Sequence, residues 1–252
     1  MNKIEALARM FSMYSIYPAS CYVDNSPVRI FQKMFPDNHY ARDMELFLKE
    51  QQHNPQRRGA DLPWWGKHYF SSKEGLRTMI ITQDSLALDA GSIVFFAHLM
   101  PLLDSRDTYE QYTKQLNKNQ SFRFASWRRI REQMIQWGID FDFLYVTDAA
   151  KVYIENSRER FDLKASEQLL REEIEFCNPD LLILLGGSPL KLLQKDMVYT
   201  DVVEKREFIS VAGKKTVVSP FPSGNGLSQK NFNERLANAT SLIQETLSKQ
   251  SI

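Results

Sequence analysis

The chain contains 252 residues, with a formal net charge of +1, 43% hydrophobic residues and 25% charged residues. This length is enough for one large domain with a substantial core, and the composition is that of a globular protein. The near-zero net charge excludes a strongly basic protein that coats DNA, although a local basic groove is compatible with it because binding depends on where the charges lie.

The first 75 residues are predicted to form helices and loops. Apolar side chains at helical spacing predict an amphipathic helix near the N-terminus, with a face made of Ile4, Leu7, Phe11 and Tyr14. The Pro, Gly and Asn content of residues 53–65 predicts a loop. Trp64 and Trp65, at the end of that loop, are expected to form a hydrophobic cover over the core.

From Arg77 onward, predicted strands alternate with predicted helices. Buried β-type runs lie at 79–82, 143–147, 181–185, 208–211 and 215–218. Helical patterns lie at 95–103, 108–116, 127–137 and 169–177, from Ser188 onward and from Gln229 onward. This alternation predicts an α/β fold, a three-layer α/β/α sandwich around a mostly parallel central sheet. We expect a single domain over residues 1–252, with 76–246 as its core and 1–75 as a helical extension.

Several features bear on the cellular location. Glu5 and Arg9 interrupt the apolar pattern of the N-terminus, which is therefore not typical of a signal peptide. No apolar stretch reaches the roughly 18 residues needed to span a bilayer. Cys21 and Cys177 form no metal or redox motif, which indicates free thiols in a reducing compartment. We therefore expect a cytoplasmic protein with no membrane partner.

Polar or small residues follow each buried run of the predicted sheet, where parallel sheets bind their ligands. Asp84 comes directly after residues 79–83 and could face a ligand, or it could cap a following turn or helix. Asp148 ends the second strand and could likewise be a helix N-cap. Ser188 follows the Gly186-Gly187 turn, which is a generic anion site, and could cap a helix that has Pro189 at its first position. Residues 219–224 could bind a ligand or form a surface turn.

The first of these segments resembles an active-site motif of the uracil-DNA glycosylase superfamily. Thr82-Gln83-Asp84 is similar to the Gly-Gln-Asp of the main family, and residues 90–98 are similar to a segment of the mismatch-specific branch. The resemblance implies that Gln83 and Asp84 are catalytic, with Asp84 stabilising a cationic sugar and orienting the attacking water. It also implies that Phe96 stacks on the extruded base, although core packing would explain this residue equally well.

Residues 221–228, Phe-Pro-Ser-Gly-Asn-Gly-Leu-Ser, resemble Asn-Pro-Ser-Gly-Leu-Ser of the mismatch-specific branch, with two extra residues. The resemblance implies a loop that grips phosphates and inserts Leu227 as a wedge into the base stack. Phe221 stands where the family has His or Asn, and it cannot donate a hydrogen bond to the leaving base. Residues 184–189 resemble the Leu-Trp-Gly-Ser or Val-Leu-Gly-Lys segment that precedes this motif in the family, where a Gly-Ser backbone lies near a phosphate. Lys230, close to the second motif, is a further candidate for a phosphate contact. The residues assigned to DNA binding are thus Ser188, Ser223, Gly224, Leu227, Ser228 and Lys230.

Residues 145–151 look like the Tyr-Ile-Thr-Asn-Ala-Val-Lys of the iron–sulfur glycosylases, in which the Asn reads uracil. Asp148 takes the position of that Asn. An ionised carboxylate repels the O4 atom of uracil, so Asp148 suits the exocyclic amine of cytosine or adenine, or uracil if the carboxyl is protonated. The cysteines that hold the cluster in that branch are missing from this sequence. The resemblance therefore implies no metal and no organic cofactor.

Three functions are compatible with the sequence. The first is a monomeric DNA glycosylase that flips a uracil or another damaged or deaminated base out of DNA and hydrolyses its N-glycosidic bond in base-excision repair. The second, favoured by Phe221 and Asp148, is a catalytically weak protein of the same fold that binds nucleic acid or a protein partner. The third is a hydrolase or transferase that acts on a free nucleoside or nucleotide. Leu227 argues against the third, because a free nucleoside needs no wedge.

Overall fold

The computed structural model describes residues 2–14, 27–49, 58–60, 62–83, 99–115, 124–154, 158, 161–222 and 229–248. These residues form an α/β fold with ten α-helices and eight strands. The helices are α1 (Lys3–Ser12), α2 (Pro27–Met34), α3 (His39–Lys49), α4 (Leu99–Leu102), α5 (Arg106–Gln115), α6 (Phe124–Trp137), α7 (Leu163–Cys177), α8 (Gly187–Leu193), α9 (Tyr199–Glu204) and α10 (Gln229–Ser248). The strands are β1 (Arg58–Ala60), β2 (Trp64–Trp65), β3 (Thr78–Thr82), β4 (Leu144–Asp148), β5 (Val152–Ile154), β6 (Leu181–Leu185), β7 (Ile209–Val211) and β8 (Lys214–Ser219).

Six strands form one mixed sheet in the order β2-β4-β3-β6-β8-β7. The four inner strands, β4, β3, β6 and β8, run parallel to one another. The edge strands β2 and β7 run antiparallel to their neighbours, and β1 pairs with β5 in a separate two-stranded sheet. The prediction of an α/β fold around a largely parallel sheet is therefore confirmed.

The central strands are buried along their whole length. Every residue of β3, β4 and β6 is buried, and β6 is the uninterrupted apolar run Leu-Leu-Ile-Leu-Leu. A strand that is covered on both faces needs apolar side chains on both, so its sequence is continuous rather than alternating. Each large apolar side chain buried in this way contributes roughly 1.5–3 kcal/mol to stability. Strand β6 is therefore a major part of the hydrophobic core.

Local capping explains where two of the helices begin and end. Asn2 caps α1, and the carboxylate of Glu5 accepts a hydrogen bond from the backbone N–H of Asn2, which completes a capping box. Asp162 caps the start of α7, and Asn178 ends that helix with a φ of 45°, a left-handed conformation that Asn tolerates well. Helix α7 packs on α1, and α10 packs on β8 and α6. No helix within the described ranges is both long and apolar enough to cross a membrane.

Three local predictions are wrong. Residues 58–60 are a strand rather than part of a helix or loop, and Trp64–Trp65 form an edge strand rather than a loop, because β1 pairs with β5 and β2 with β4. Both tryptophans are nevertheless buried against the hydrophobic core. Ser188 does not cap α8, which begins at Gly187 after the N-cap residue Gly186 and has no side-chain cap. In addition, β5 and α9 were not predicted. Pairing with distant strands decides the first two cases, and the backbone of the turn decides the third.

Candidate functional site at the carboxyl edge of the parallel sheet

The carboxyl ends of the four parallel strands lie in one row. Strand β3 ends at Thr82, opposite Asp148 at the end of β4, and β6 ends at Leu185, opposite Ser219 at the end of β8. Because β3 also pairs with β6, the four ends are continuous with one another. The segments that follow these ends therefore start from neighbouring positions, at the edge where parallel sheets bind their ligands.

Gln83 leaves β3 at this edge with an exposed side chain. The backbone carbonyl oxygen of Gln83 accepts a hydrogen bond of 3.0 Å from the backbone N–H of Ala150. The carbonyl oxygen of Thr82 accepts another, of 2.9 Å, from the N–H of Ala149. The segment that begins the first motif is thus joined through its backbone to the segment that follows Asp148.

Asp148 lies in β4 with only 2% of its surface exposed. Its Oδ1 atom accepts a hydrogen bond from the hydroxyl of Thr82, the residue opposite it in the parallel register. The chain continues from Asp148 through a bend into β5, so Asp148 caps no helix and that alternative is wrong. A carboxyl group in this position can accept further hydrogen bonds from the amine or amide groups of a ligand.

The turn after β6 adopts a backbone conformation that is nearly restricted to glycine. Gly186 has φ 86° and ψ −177°, and its N–H donates a hydrogen bond of 2.8 Å to the carbonyl oxygen of Ser219. This bond joins the turn to the end of β8. The Gly-Gly turn and the start of the second motif are therefore fixed to each other, as the first motif is fixed to the segment after Asp148.

A shallow cleft of about 400 Å³ begins at this turn. The residues that line it include Ser188, Lys191, Lys195 and Tyr199. Ser188 and Lys191 are exposed, and Lys195 also forms an ion pair of 2.9 Å with Glu167. The cleft thus combines positive charge with a hydroxyl group, a set that suits phosphate oxygens.

Phe221 follows β8 and is half-buried against the hydrophobic core. Pro220 and Pro222 on either side of it are buried. The hydroxyl of Ser219 donates a hydrogen bond of 3.0 Å to the carbonyl oxygen of Pro220. The second motif therefore starts with a segment anchored by apolar packing.

Several of the predicted site residues lie outside the described ranges. These residues are Asp84, Phe96, Ser223, Gly224, Leu227 and Ser228. Lys230 belongs to the first turn of α10, and its side chain is outside the description as well. Of the predicted site, the structure therefore brings together Gln83, Asp148, Ser188 and Phe221 at one sheet edge.

Behind β4 lies a buried polar group of four residues that the sequence analysis did not identify. We call Tyr145, Thr147, Lys151 and Glu173 the Lys151 cluster; all four are 0% exposed. The ammonium group of Lys151 forms an ion pair with Oε2 of Glu173 and donates to Oγ1 of Thr147 at 2.5 Å. The hydroxyl of Tyr145 donates to Oε1 of Glu173 at 2.6 Å. Alternation along the strand puts Tyr145 and Thr147 on the face opposite Asp148.

The sequence does carry a signal for this cluster. Glu173 falls on the apolar face of α7, one turn after Leu169 and one turn before Cys177, where a solvated glutamate is not expected. Burial raises the pKa of the Tyr145 hydroxyl well above its usual value, and the negative charge of Glu173, which accepts its hydrogen bond, adds to this effect. Tyr145 therefore remains protonated at neutral pH and donates to Glu173.

Two further groups have limited chemical roles. Burial raises the pKa of the Cys177 thiol well above its usual value, so this free cysteine stays protonated and unreactive. Across the described residues, no group of three or more His, Cys, Asp or Glu side chains is arranged to hold a metal ion.

No family model matches the chain, and no curated protein shows significant similarity to it. The function is therefore inferred from the residues at the sheet edge.

Proposed function

We propose that the protein is a DNA glycosylase of the uracil-DNA glycosylase superfamily, with the three-layer α/β/α arrangement of that superfamily. One observation carries the proposal. The four segments that resemble motifs of the superfamily contain Gln83, Asp148, Ser188 and Phe221, and all of them leave adjacent strand ends at one edge of the parallel sheet. Residues that leave adjacent strand ends can act together on one bound nucleotide, as the proposed reaction requires.

The proposed reaction is hydrolysis of the bond between C1′ of the sugar and a ring nitrogen of the base. A water molecule attacks C1′, the C–N bond breaks, and the base leaves with the bonding electrons. The water gives up a proton, which balances the charge of the departing base. Asp84, next to Gln83, stabilises the positive charge that develops on the sugar and orients the water. Each such electrostatic contact is typically worth 10²–10³ in rate.

Recognition of the base is assigned to Asp148 and Phe96. A base inside a duplex cannot be reached, so the nucleotide is flipped into the site and stacked on an aromatic ring, which Phe96 provides. Asp148 is buried and fixed by Thr82, so its carboxyl group presents one defined edge to the base. An acceptor of this kind favours a base that carries an exocyclic amine, or uracil when the carboxyl is protonated.

DNA binding is assigned to the segments that follow β6 and β8. Ser188 and the cleft lysine Lys191 are exposed beside the strand ends and suit flanking phosphates. Ser223, Gly224, Ser228 and Lys230 are assigned further phosphate contacts, and Leu227 is assigned the role of filling the gap left by the flipped base. The bound partner is DNA with a damaged or deaminated base, and the protein acts as a monomer.

A second candidate is a catalytically weak protein of the same architecture that binds nucleic acid. The observation that favours it is the packing of Phe221 against the core, which leaves no side-chain donor at the position where the superfamily holds the leaving base. Loss of one such donor costs about 10²–10³ in rate. The two candidates differ in whether any base is released.

The test is a strand-cleavage assay after alkali. The substrates are oligonucleotides with uracil opposite adenine, uracil opposite guanine, thymine opposite guanine and hypoxanthine, together with single-stranded uracil DNA. Wild-type protein is compared with Asp84→Asn, and Asp142→Asn is the matched control. Asp142 is exposed and lies just before β4, at the opposite edge of the sheet.

Cleavage by the wild-type protein that falls at least a hundredfold in Asp84→Asn and is unchanged in Asp142→Asn supports the glycosylase. Absence of cleavage on every substrate, with duplex binding intact, refutes the glycosylase for these bases and supports the binding protein. Absence of both cleavage and DNA binding refutes both candidates.

A further inference from the structure

The Lys151 cluster joins β4 to helix α7 directly behind the candidate site. Two of its members, Tyr145 and Thr147, belong to the strand that carries Asp148, while Lys151 follows three residues after Asp148. Glu173 comes from α7 and contacts the cluster through both of its carboxylate oxygens. The centre of the Phe11 ring in α1 lies 5.1 Å from the ammonium group of Lys151, so α1 also contacts the cluster.

The backbone around Lys151 is held by the same helix. The hydroxyl of Ser166 in α7 accepts hydrogen bonds from the N–H of Lys151, at 3.2 Å, and from the N–H of Val152, at 2.9 Å. On the other side, the N–H groups of Ala149 and Ala150 donate to the carbonyl oxygens of Thr82 and Gln83. The segment from Asp148 to Val152 therefore lies between α7 and the start of the first motif, with polar contacts on both sides.

Stability alone does not explain a buried ion pair in this place. Removing two charges from water costs several kcal/mol per ion, and apolar residues of similar volume are often as stable or more stable. A buried ion pair instead restrains geometry, because each of its charges, at 0% exposure, has to keep its partners in place. Here the ion pair restrains the position of the segment between Asp148 and Val152.

We propose that Lys151 and Glu173 are positioning residues of the candidate site. Their ion pair fixes the segment 148–152 against α7 and thereby holds the carboxyl group of Asp148, and through Ala149 and Ala150 the backbone of Thr82 and Gln83, in the geometry used for the base. The role in base excision rests on the function proposed above, whereas the role in fixing this segment does not.

The test uses Lys151→Met with Glu173→Gln, a double variant that removes both charges at nearly constant volume and keeps an acceptor for Tyr145. Thr147→Val is a milder second variant, because it removes only the oxygen that Lys151 contacts at 2.5 Å. Trp137→Phe is the control: it removes a partly buried hydrogen bond of 2.9 Å to Thr240 between α6 and α10, away from this segment.

The first measurement is amide hydrogen exchange at Ala149 and Ala150, which needs no activity. In the double variant we expect exchange at these two amides to become at least tenfold faster, while the amides of Ile183 and Leu184 in β6 are unchanged. Thr147→Val should show a smaller increase and Trp137→Phe none. Wild-type exchange rates at Ala149 and Ala150 in either folded cluster variant would overturn the proposal, whether or not the protein excises a base.

The second measurement is single-turnover excision on the best substrate of the wild-type protein. We expect the rate constant to fall at least tenfold with little change in the DNA concentration at half-saturation, because the proposed phosphate contacts follow β6 and β8 instead. Unchanged chemistry despite faster exchange would overturn the positioning role in catalysis. A wild-type protein that excises no base contradicts the proposed function, while the exchange measurement still decides whether the cluster fixes the segment.

Discussion

The hydroxyl of Thr82 donates a hydrogen bond to the carboxylate of Asp148, across the last register pair of β3 and β4. Both residues are buried, with 4% and 2% of their surfaces exposed. Two predicted motifs that are far apart in sequence are thus joined by a side-chain contact as well as by the backbone. This pair is the most direct link between the fold and the chemistry proposed for it.

Replacement of Thr82 by Val removes the donor but retains the shape of the side chain. We expect the free energy of unfolding to fall by about 1.5–3 kcal/mol, the usual contribution of a hydrogen bond to a charged group. Urea denaturation measures this loss. Thr78→Val is the control at the other end of β3, because its register neighbours are the apolar residues Leu144 and Leu181. Equal losses at the two positions would contradict the importance of the contact with Asp148.

Asp148→Asn is expected to change the choice of base. An amide can donate to O4 of uracil and accept from N3–H, whereas a carboxylate only accepts. We expect the excision of uracil at neutral pH to rise about tenfold relative to wild type, which corresponds to ~1.4 kcal/mol. Competition between uracil and cytosine or adenine analogues in the same duplex context measures the ratio. An unchanged ratio would show that Asp148 does not contact the base.

The Lys151 cluster leads to a prediction about stability. Lys151→Met leaves the buried charge of Glu173 without its cation. We expect the free energy of unfolding to fall by about 3–5 kcal/mol, the loss that is typical of an unpaired buried charge. The double variant Lys151→Met with Glu173→Gln should lose less than Lys151→Met alone, because no charge is then buried. Guanidinium denaturation of the wild-type protein, the two single variants and the double variant provides a double-mutant cycle. Additive losses would mean that the two residues do not interact.

The buried tyrosines make stability dependent on alkaline pH. Burial raises the pKa of Tyr69 and Tyr145 well above the usual value of 10.0 and the pKa of Tyr109 to about 12. These phenols ionise first in the unfolded chain, so their contribution is complete below pH 10 and is lost as the pH rises above it, by at most ~1.4 kcal/mol per pH unit for each tyrosine. Urea denaturation between pH 8 and 11 should show this decline. Tyr145→Phe should make it shallower, and an unchanged slope would contradict the assignment.

The turn after β6 depends on glycine. We expect Gly186→Ala to lower the free energy of unfolding by about 1–3 kcal/mol, because φ 86° with ψ −177° is strained for any side chain even though no atom lies within 4 Å of the added Cβ. Ala212→Gly is the complementary control: Ala212 has a φ of 49°, so glycine there should be neutral or stabilising by up to about 1 kcal/mol. Thermal or urea denaturation compares the two, and a neutral Gly186→Ala would contradict the strain.

The sequence predicted the parts of the fold that depend on local patterns. Strand β6 and the end of helix α7 at Cys177 were predicted, because a continuous apolar run and the Asn-Pro pair that follows the helix need no information from elsewhere in the chain. Strand β2 was missed because Trp64 and Trp65 lie between Pro63 and Gly66, a context typical of loops, and only pairing with Tyr145 and Val146 makes them a strand.

In the candidate site, too, some features could be predicted from local sequence and others could not. The position of Asp148 at a strand end could be predicted, but its contact with Thr82 could not, since only the register of β3 against β4 brings the two together. The ion pair of Lys151 with Glu173 was missed because a charged residue is normally assigned to a solvated face. The apolar neighbours of Glu173 on α7 are the feature that distinguishes it.

The order of the strands has a consequence for the growing chain. Strand β6 carries five apolar residues and is covered on one side by β3, which precedes it, and on the other by β8, which is synthesised about 30 residues later. Until β8 is added, the backbone of Leu-Leu-Ile-Leu-Leu is an open apolar edge, the kind of segment through which chains pair with one another and aggregate. A truncation before residue 214 would make that edge permanent, so the last inner strand protects the protein from self-association as well as completing the sheet.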